Sequence, residues 1–538
     1  MSPGTRERRW QMADAVRAAY RAGEDDEAME PLVLVDADGE PLGRIQDGDY
    51  VIFYDLRGER EIELTSSFTD RGLDHFPRTA MRVHFVTMIE YDRNLDVRVA
   101  FPPTGPIKDT LPQVVASHGL RQAKVVETEK SVHLTYYLNG KNEGILPGED
   151  RFIVPSPHVH DYTLVPELNA AGVGDAVIDA IANPDYGLIT VNLANTDVVG
   201  HSENPEAIKR AVHTVDTQIG RVVQAARRAG VTVIITADHG SAERWYYPDG
   251  AIDTGHTDSP VPFILVDTGL GHVRLRDGGG LADIAPTVLH LMGLPKPEVM
   301  TGSSLILDEI PAAPGGTRTA AGRRVLLLIA DGWGVRDEVW GNLIAAADTP
   351  VMDGLPAECP NTRLQAAGMA VGMPEGSVGN SEAGHLHIGG GRRFLSDRVR
   401  IEESIADGSF FQNEAFLWAM HGAKRDGKRL HLLGIISFYS SHGSVEHLKA
   451  LLRMAALEGV PKVYIHGMLG RRGERPESGA IYVQEIEQEA NRLGLGQFVS
   501  LIGRFWSLDR EENWDRIEKS YRWLVYGEGT PVLAGDDD

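Results

Sequence analysis

The sequence predicts an α/β protein made of two or three domains, and three observations point to it. Short apolar runs of strand length alternate along the chain with segments of helical periodicity, which is the pattern of α/β architecture. The chain has 538 residues, too many for a single hydrophobic core. Segments rich in proline and glycine at 102–106 and 308–323 interrupt this alternation, and they indicate a hinge and a flexible linker.

The predicted strands are apolar almost throughout, as expected of strands that helices cover on both faces. In the middle of the chain they are 188–193, 231–236, 262–266 and 325–329. Nearer the two ends they are 50–54, 83–89, 430–436, 463–465 and 498–502. The strands near the two ends thus resemble those in the middle of the chain, and both ends are assigned to α/β structure.

One helix is predicted together with both of its ends. Asn204 is of a residue type that caps helix N-termini, and Pro205 suits the first helical position. Apolar residues then recur at helical spacing as far as Ala226. Gly230 is typical of the residue that follows a helix C-terminus, so the helix should end just before it.

Composition excludes several classes of function. Acidic side chains outnumber basic ones by 77 to 53, and the net charge of −24 repels nucleic acid and anionic membranes. No apolar run is long enough to span a bilayer, and the single cysteine, Cys359, cannot form an intrachain disulfide. We expect a monomeric cytoplasmic protein with no nucleic-acid or membrane partner, in which an anionic substrate would need local arginines or metal ions.

Polar side chains able to bind metal lie next to the predicted strands in the middle of the chain. They are Asp197, His201, Asp238, His239, His256 and Asp331. Ligands of open α/β sheets bind at the carboxyl ends of strands, and a mixed Asp/His set suits Mn²⁺ or Zn²⁺ better than Ca²⁺. Each of these residues alone is more typical of a solvated turn or a helix cap than of a metal ligand. The hypothesis of a metal site therefore depends on their recurrence at equivalent strand ends.

Ser381, in the segment GNSEAGHLHIGGGR, is the candidate nucleophile. A serine hydroxyl needs a base or a metal ion to become nucleophilic at neutral pH. At the start of a helix, backbone amides would also stabilise a transferred phosphoryl group. The alternative is that Ser381 only caps a helix that carries Glu382 and His385 on its surface, and the serine by itself favours this alternative.

Taken together, the segments ADGWG, GNSEAGHLHIGGGR, NTDVVGH, TADHGSAE and GHTDSPVPF resemble the metal and nucleophile motifs of the cofactor-independent phosphoglycerate mutases, a branch of the alkaline-phosphatase superfamily. The resemblance extends over nearly the whole chain. It implies two divalent ions, with Mn²⁺ expected and Zn²⁺ or Co²⁺ as alternatives. One ion would be held by Asp197, His201 and His256, and the other by Asp331, Ser381, Asp238 and His239.

The order of these motifs differs from that of the family, in which the DGWG and NSE motifs precede the DHG motif. Here Asp331 and Ser381 come last, so the sequence resembles a circular permutant whose linker, 308–323, joins the family's old termini. The resemblance then implies an alkaline-phosphatase-like metal domain at 106–395. A smaller phosphotransferase domain, which holds the substrate, would be divided between 1–105 and 396–538.

The resemblance also implies a set of substrate-binding residues, namely Arg57, Arg60, Lys130, His442, Arg472, Arg504 and Arg510. Guanidinium groups bind phosphate and carboxylate through paired hydrogen bonds, although without the resemblance these arginines would be interpreted as surface charges. Two stretches depart from the family. Segment 437–444 keeps His442 but lacks the histidine that follows it in relatives, and Gly473 replaces an acidic residue expected to hold the glycerate hydroxyls.

These observations lead to a hypothesis and two alternatives. The hypothesis is an isomerase that interconverts 3-phosphoglycerate and 2-phosphoglycerate, or acts on a similar small phosphorylated hydroxy acid, through a phosphoserine at Ser381. The departures at Gly473 and 437–444 motivate the first alternative, a phosphoryl- or phosphonyl-transferase with a different acceptor in a specialised biosynthetic pathway. The second alternative is an inactive relative that acts as a binding protein.

Overall fold

The protein is described by a computed structural model over residues 11–247, 249–311, 322–438, 442–470 and 478–534. The chain divides into two compact units. Unit 1 combines the two ends of the chain, Met1–Pro103 and Arg400–Asp538, and unit 2 is the continuous segment Thr104–Val399. Each unit has one β-sheet with helices around it, so the predicted α/β fold is confirmed.

The strands of the described residues are short, and seven of the sixteen are buried along their entire length. In chain order they are β1 Leu32–Val35, β2 Tyr50–Phe53, β3 His84–Ile89, β4 Arg98–Phe101, β5 Arg121–Glu127, β6 Glu149–Val154, β7 Tyr186–Leu193, β8 Thr232–Thr236, β9 Val261–Val266, β10 Gly279–Gly280, β11 Val325–Ala330, β12 Asn361–Gln365, β13 Leu430–Ile435, β14 Val463–Leu469, β15 Gln497–Gly503 and β16 Thr530–Leu533. All of the predicted strands are among them.

The α-helices of the same residues separate most of these strands. They are α1 Gln11–Arg21, α2 Ile62–Thr69, α3 Leu111–Ser117, α4 Ala170–Ala182, α5 Asn195–Gly200, α6 Pro205–Ala229, α7 Ile284–Met292, α8 Pro350–Glu358, α9 Ser381–Gly390, α10 Asp397–Asp407, α11 Glu414–Arg425, α12 Val445–Leu457, α13 Gly479–Leu493, α14 Arg504–Ser507 and α15 Trp514–Tyr526. Short 3₁₀ turns at Gly58–Arg60 and Thr128–Lys130 carry two of the predicted substrate-binding residues, Arg60 and Lys130. No helix of the described segments combines the length and the apolar character needed to cross a membrane.

The sheet of unit 2 has the strand order β10-β12-β9-β8-β11-β7-β5-β6. Its centre is parallel, because β8, β11, β7, β5 and β6 all run in the same direction. Strands β7, β8 and β11 are buried along their entire length. Helices α4 and α6 pack against this region, and the apolar side chains of sheet and helices form one core.

Strand β9 departs from the parallel pattern that its apolar sequence suggested, since it runs antiparallel to β8. A parallel connection requires a crossover, usually through a helix, whereas an antiparallel partner can follow a loop. No helix lies between β8 and β9 in the described part of 237–260, so the chain returns directly beside β8. The start of β9 therefore lies at the same edge of the sheet as the end of β8.

The sheet of unit 1 has the order β16-β1-β15-β14-β13-β2-β3-β4, and it mixes strands from both ends of the chain. The six strands from β15 to β4 are parallel to one another, while β1 pairs antiparallel with β15. Strand β1 lies between two strands of the C-terminal segment, and β13 lies beside β2. Neither segment alone could therefore complete this sheet.

Helix α6 has the ends that its sequence predicts. The Asn204 side chain accepts a hydrogen bond from the backbone N–H of Ala207, and Pro205 is the first helical residue. Gly230 ends the helix with a φ of 65°, a left-handed conformation that favours glycine. The apolar face of α6 packs into the core of unit 2.

Candidate metal centre and nucleophile

Four neighbouring parallel strands of unit 2 bring the predicted ligands to one edge of the sheet. The strands lie side by side in the order β8-β11-β7-β5, so their carboxyl ends share that edge. Asp238 follows β8, Asp331 follows β11, Asp197 follows β7 and Lys130 follows β5. His256 joins them because the loop that holds it leads into the antiparallel strand β9.

Asp197, His201 and His256 form the first ion group. The carboxylate Oδ1 of Asp197 lies 3.0 Å from His256 Nε2 and 3.5 Å from His201 Nε2, and the two imidazole nitrogens lie 3.2 Å apart. These separations are about those between ligand atoms around one ion bound at about 2.1 Å. Asp197 is buried whereas His201 is exposed, so the group opens towards solvent on the His201 side.

Backbone carbonyls orient both histidines of the first ion group. Nδ1 of His201 lies 2.8 Å from the carbonyl oxygen of Thr254, and Nδ1 of His256 lies 2.9 Å from that of Gly379. A carbonyl oxygen can only accept, so Nδ1 carries the proton in each ring. Nε2 is then left with its lone pair, as metal-ligating histidines require.

Asp238, His239 and Asp331 form the second ion group, which is completely buried. Nε2 of His239 lies 3.5 Å from Asp331 Oδ1, 3.7 Å from Asp238 Oδ2 and 3.6 Å from Asp197 Oδ1. His239 therefore adjoins both groups. The predicted ligands that are distant in the sequence converge on one pocket of the sheet edge.

Ser381 lies in this pocket at the first residue of α9. Its Oγ is 3.0 Å from His239 Nε2 and 3.3 Å from Asp331 Oδ1. Asn380 caps the helix by accepting a hydrogen bond from the backbone N–H of Ala383. The helix can approach the second ion group closely because Gly384 has no side chain: a Cβ there would lie 2.5 Å from the carbonyl oxygen of Asp238.

Lys130 places a positive charge among these groups. Its Nζ donates to Asp197 Oδ2 at 2.7 Å, to Asp331 Oδ1 at 2.8 Å and to Ser381 Oγ at 2.7 Å. Burial by itself would lower the pKa of Lys130, but the carboxylates of Asp331, Asp197 and Asp238 outweigh it and raise that pKa. Lys130 is thus a permanent cation in contact with the candidate nucleophile, Ser381.

The pocket is suited to divalent cations in addition to the ammonium group of Lys130. Asp197 Oδ1 and Asp238 Oδ2 are buried and accept no hydrogen bond from any described residue. Burial raises the pKa of Asp238, but His239, His385 and Lys130 offset this effect, and the net pKa lies below the usual range. Buried oxygens that stay ionised without a donor are the atoms that a metal ion would coordinate. The donor set therefore fits the implied ions.

Two buried residues of the pocket were missed by the sequence analysis. Asn192 donates from Nδ2 to Asp331 Oδ2 at 2.7 Å, and His385 Nδ1 lies 3.2 Å from Asp238 Oδ2. The placement of His385 on the surface of a capped helix is wrong, since its side chain is fully buried. Its spacing of four residues from Ser381 could have indicated that both lie on the same face of α9.

The arginines predicted to bind substrate in unit 1 lie near the carboxyl ends of its parallel strands. Arg57 and Arg510 both form ion pairs with Glu59, at 3.2 Å and 2.9 Å. Arg60 donates to the carbonyl oxygen of Leu508 at 3.1 Å. These side chains gather around the 3₁₀ turn at 58–60.

Two further predicted residues of unit 1 have acidic partners. The Nε of Arg504 lies 3.4 Å from Glu27 Oε1. His442 is buried, and its Nδ1 lies 2.6 Å from Glu61 Oε1. Arg472 and Gly473, together with the middle of segment 437–444, lie outside the described residues.

Two family models match the chain. A model of the metalloenzyme superfamily matches residues 35–296, and a model described as the N-terminus of BPG-independent PGAM matches residues 401–535. The second match lies after the first, at the C-terminal end of this chain. Asp331 and Ser381 fall between the two matched segments.

Curated relatives match a little more than half of the chain. A 2,3-bisphosphoglycerate-independent phosphoglycerate mutase 2 of Methanosarcina acetivorans is 44% identical over 297 residues, which are 55% of this chain and 56% of the relative. A phosphoglycerate mutase of the same description from Thermomicrobium roseum is 45% identical over 301 residues, 55% of this chain and 57% of the relative. The chain thus spans about half the length of the curated relatives that it matches.

A solved structure of Leishmania mexicana phosphoglycerate mutase at low cobalt concentration aligns with 31% identity and a TM-score of 0.38. That alignment covers 51% of this chain and 53% of the other chain.

The parallel sheet, the candidate Asp/His ligands at its carboxyl edge and the match over 35–296 make the chain similar to α/β proteins of the metalloenzyme superfamily. The match over 401–535 and the curated relatives make it similar to the BPG-independent phosphoglycerate mutases.

Proposed function

We propose that this protein transfers a phosphoryl group through Ser381 and thereby interconverts 3-phosphoglycerate and 2-phosphoglycerate. One observation carries the proposal: the Ser381 hydroxyl lies at a helix start, between the ammonium group of Lys130 and the second ion group. A hydroxyl in that position can be activated and can hold a phosphoryl group afterwards. The names of the curated relatives support the same reaction.

Ser381 acts as the nucleophile in this proposal. Its Oγ donates a hydrogen bond to Asp331 Oδ1, which can hold the serine proton as Oγ attacks phosphorus. The bond from phosphorus to the substrate oxygen breaks, and that oxygen leaves with a proton as a hydroxyl group. The hydroxy acid then presents its other hydroxyl, and the same steps in reverse return the phosphoryl group.

Two divalent ions fit this site. Asp197, His201 and His256 would hold one, and Asp238, His239, Asp331 and Ser381 the other, with Mn²⁺ expected because the set mixes carboxylates and imidazoles. When bound, such ions supply Lewis-acid stabilisation of the phosphoryl oxygens and lower the pKa of a coordinated hydroxyl.

Lys130 and the N-terminus of α9 would stabilise the charge of the transferred group. The ammonium group lies 2.7 Å from Ser381 Oγ, so it can reach an oxygen of a phosphoryl group on that serine. The first backbone N–H groups of a helix are free of intrahelical partners and attract anions. Arg57, Arg60, Arg504 and Arg510 of unit 1 would bind the carboxylate and phosphate of the hydroxy acid.

A coupled assay for 2-phosphoglycerate tests this function. The Mn²⁺-loaded protein is expected to turn over 3-phosphoglycerate, while Ser381→Ala loses activity by about a thousandfold or more. Ser409→Ala, which changes an exposed serine, serves as the matched control and should keep full activity. A folded, metal-loaded wild-type protein without turnover would exclude the glycerate reaction.

A second candidate keeps the chemistry and changes the acceptor. It is favoured by Gly473, which stands where an acidic residue is expected to hold the glycerate hydroxyls. His442, one of the implied substrate-binding residues, also pairs with Glu61. Incubation with labelled phosphoryl donors should then give a labelled Ser381 adduct from donors other than phosphoglycerate. If only phosphoglycerate labels the protein, this candidate is wrong.

We also propose that the chain is a circular permutant of its family, with the domain boundaries at 106–395 and at 1–105 plus 396–538. The order of the two family matches supports this, because the model of an N-terminus matches residues 401–535. In unit 1, α1 packs against β16, so the first and last described elements are neighbours. A gene that joins residue 538 to residue 1 and opens the chain within 308–323 should encode an active protein; failure of that protein to fold would contradict the proposal.

A further inference from the structure

Unit 1 contains a cluster of buried ionisable groups, of which only His442 is among the implied substrate-binding residues. It consists of Asp55, Glu61 and His442, called the Asp55 cluster below. Asp55 follows β2 and His442 follows β13, and these two strands are parallel neighbours. The cluster therefore lies at the carboxyl edge of its sheet, where ligands of parallel sheets bind.

The three side chains converge as ligand atoms do. One ligand atom from each residue lies within 4.8 Å of the others, and all three residues are buried. In unit 2, the sets Asp197, His239 and His256, and Asp238, His239 and Asp331, show the same convergence by the same measure. Residues 55 and 442 are far apart in the sequence, so only the fold brings these groups together.

One oxygen of the cluster has no donor. Asp55 Oδ1 accepts a hydrogen bond from the backbone N–H of Ile435 at 2.8 Å. Asp55 Oδ2 is buried and accepts none from any described residue. A buried carboxylate oxygen without a donor costs free energy unless a proton or a cation meets it.

The nearby arginines do not neutralise the cluster by direct contact. Arg57 pairs with Glu59, and Arg504 pairs with Glu27. Among the described residues, no lysine or arginine forms an ion pair with Asp55 or Glu61. Within the described ranges, His442 is the basic group that pairs directly with the cluster, through Glu61, whereas the charge of Arg504 acts on both carboxylates without an ion pair.

Burial shifts the protonation equilibria of all three groups towards their uncharged forms. Burial raises the pKa of Asp55 well above its usual range, and the neighbouring Glu61 carboxylate adds to this. Burial also raises the pKa of Glu61 to about 8. Burial lowers the pKa of His442 to about 4, so its imidazole is neutral and can act as a ligand.

We propose that Asp55, Glu61 and His442 bind a divalent transition-metal ion at a site separate from the two ion groups of unit 2. Two carboxylates and one imidazole suit Zn²⁺, Mn²⁺ or Fe²⁺ and not Ca²⁺, which prefers an all-oxygen shell. Three protein ligands leave a coordination position for water or for a hydroxyl group of a small molecule.

Little movement is needed to admit the ion. Glu61 Oε1 and His442 Nδ1 lie 2.6 Å apart. Two ligands of a tetrahedral ion at about 2.0 Å lie about 3.3 Å apart, so the pair must separate by about 0.7 Å. The ion would replace the proton that the two side chains share.

The metal content of the purified full-length protein tests the proposal. After dialysis against Zn²⁺ and removal of free ions, the Asp55→Asn/Glu61→Gln double variant is expected to hold one ion fewer per chain than the wild type. Glu59→Gln, which removes an exposed carboxylate from the same turn, should hold as many ions as the wild type. Equal metal content in the double variant and the wild type would overturn the proposal.

A second measurement does not depend on counting ions. Both substitutions are nearly isosteric and remove buried charge, so the metal-free double variant should remain folded. Glu61→Gln alone is the milder change if the double variant does not fold, and it should weaken Zn²⁺ binding at this site at least tenfold. Added Zn²⁺ should raise the Tm of the wild type more than that of either variant. An identical rise would show that the cluster only shares protons.

Discussion

At the scale of single residues, Lys130 links the candidate nucleophile Ser381 to the carboxylates of the candidate metal centre. Its ammonium group contacts Asp197, Asp331 and Ser381, all of them buried. One ammonium group cannot neutralise the three carboxylates of Asp197, Asp238 and Asp331. Two of their oxygens, Asp197 Oδ1 and Asp238 Oδ2, accept no hydrogen bond from the described residues. Lys130 therefore stabilises the centre without replacing the ions that its ligands suit.

The first prediction concerns the substitution Lys130→Met. In the presence of a chelator, the variant should lose about 3 kcal/mol or more of unfolding free energy, because buried carboxylates are left without their counter-charge. Added Mn²⁺ should restore most of this loss. Urea unfolding with and without Mn²⁺ measures both effects, and Lys209→Met on the surface of α6 is the control. Equal losses in the two variants would contradict the role of Lys130.

The second prediction concerns His387 and pH. Its Nδ1 donates to the carbonyl oxygen of Ala383, its Nε2 accepts from the backbone N–H of Phe394, and burial lowers its pKa to about 4. The neutral ring is favoured in the folded state, so its contribution to stability is complete above pH 6.5 and is lost as the pH falls towards 4.

His387→Gln keeps a donor and an acceptor but does not titrate. Between pH 7 and pH 5 the wild type should therefore lose roughly 2 kcal/mol more unfolding free energy than this variant. Urea unfolding at the two pH values gives the difference. Parallel losses in both proteins would mean that His387 is protonated as easily in the folded chain as in the unfolded one.

At the scale of secondary structure, helix α6 shows what local sequence determines. Its two ends follow from Asn204, Pro205 and Gly230, because capping depends on residues adjacent in the chain. The strands were predictable for the same reason, since a continuous apolar run needs no knowledge of its neighbours.

The third prediction tests that cap. Asn204→Ala removes the acceptor of the Ala207 N–H and should cost about 1 kcal/mol of unfolding free energy. Gln224→Ala, at an exposed position within the same helix, should change stability by less than about 0.5 kcal/mol. Thermal unfolding of the two variants measures this difference. Equal Tm values for Asn204→Ala and Gln224→Ala would refute the contribution of the cap.

Pairing between elements was less accessible to sequence analysis. The antiparallel direction of β9 depends on the helix-free connection that precedes it, and the apolar run at 261–266 carries no information about strand direction. The convergence of Asn192 and His385 on the second ion group likewise depends on how α9 packs against the sheet. The Asp55 cluster could not be predicted from the sequence, because its residues come from both ends of the chain and only the fold brings them together.

At the scale of the whole molecule, the two units differ in how the chain builds them. Unit 2 is one segment, Thr104–Val399, and its core contains residues of that segment only. Unit 1 needs both ends, and its core mixes residues of Met1–Pro103 with residues of Arg400–Asp538. A monomeric state and a cytoplasmic location stay predictions.

The fourth prediction follows from that difference. A fragment of residues 104–399 should fold alone and unfold cooperatively, and it should bind Mn²⁺. A fragment of residues 1–103 should remain unfolded, because β2 and β1 lack their partners β13 and β15. Circular dichroism melts compare the two fragments. A cooperative transition in the shorter fragment would show that its strands do not depend on the C-terminal segment.

The divided sheet of unit 1 also has a consequence during synthesis on the ribosome. Strands β1 to β4 leave the exit tunnel first, whereas β13 to β16 follow only after the whole of unit 2 has been translated. At about 5–20 residues per second, the early strands wait roughly 15–60 s for their partners. Unit 2 can fold during that interval, while the nascent β2 and β3 expose apolar surface that a chaperone such as a holdase would have to cover.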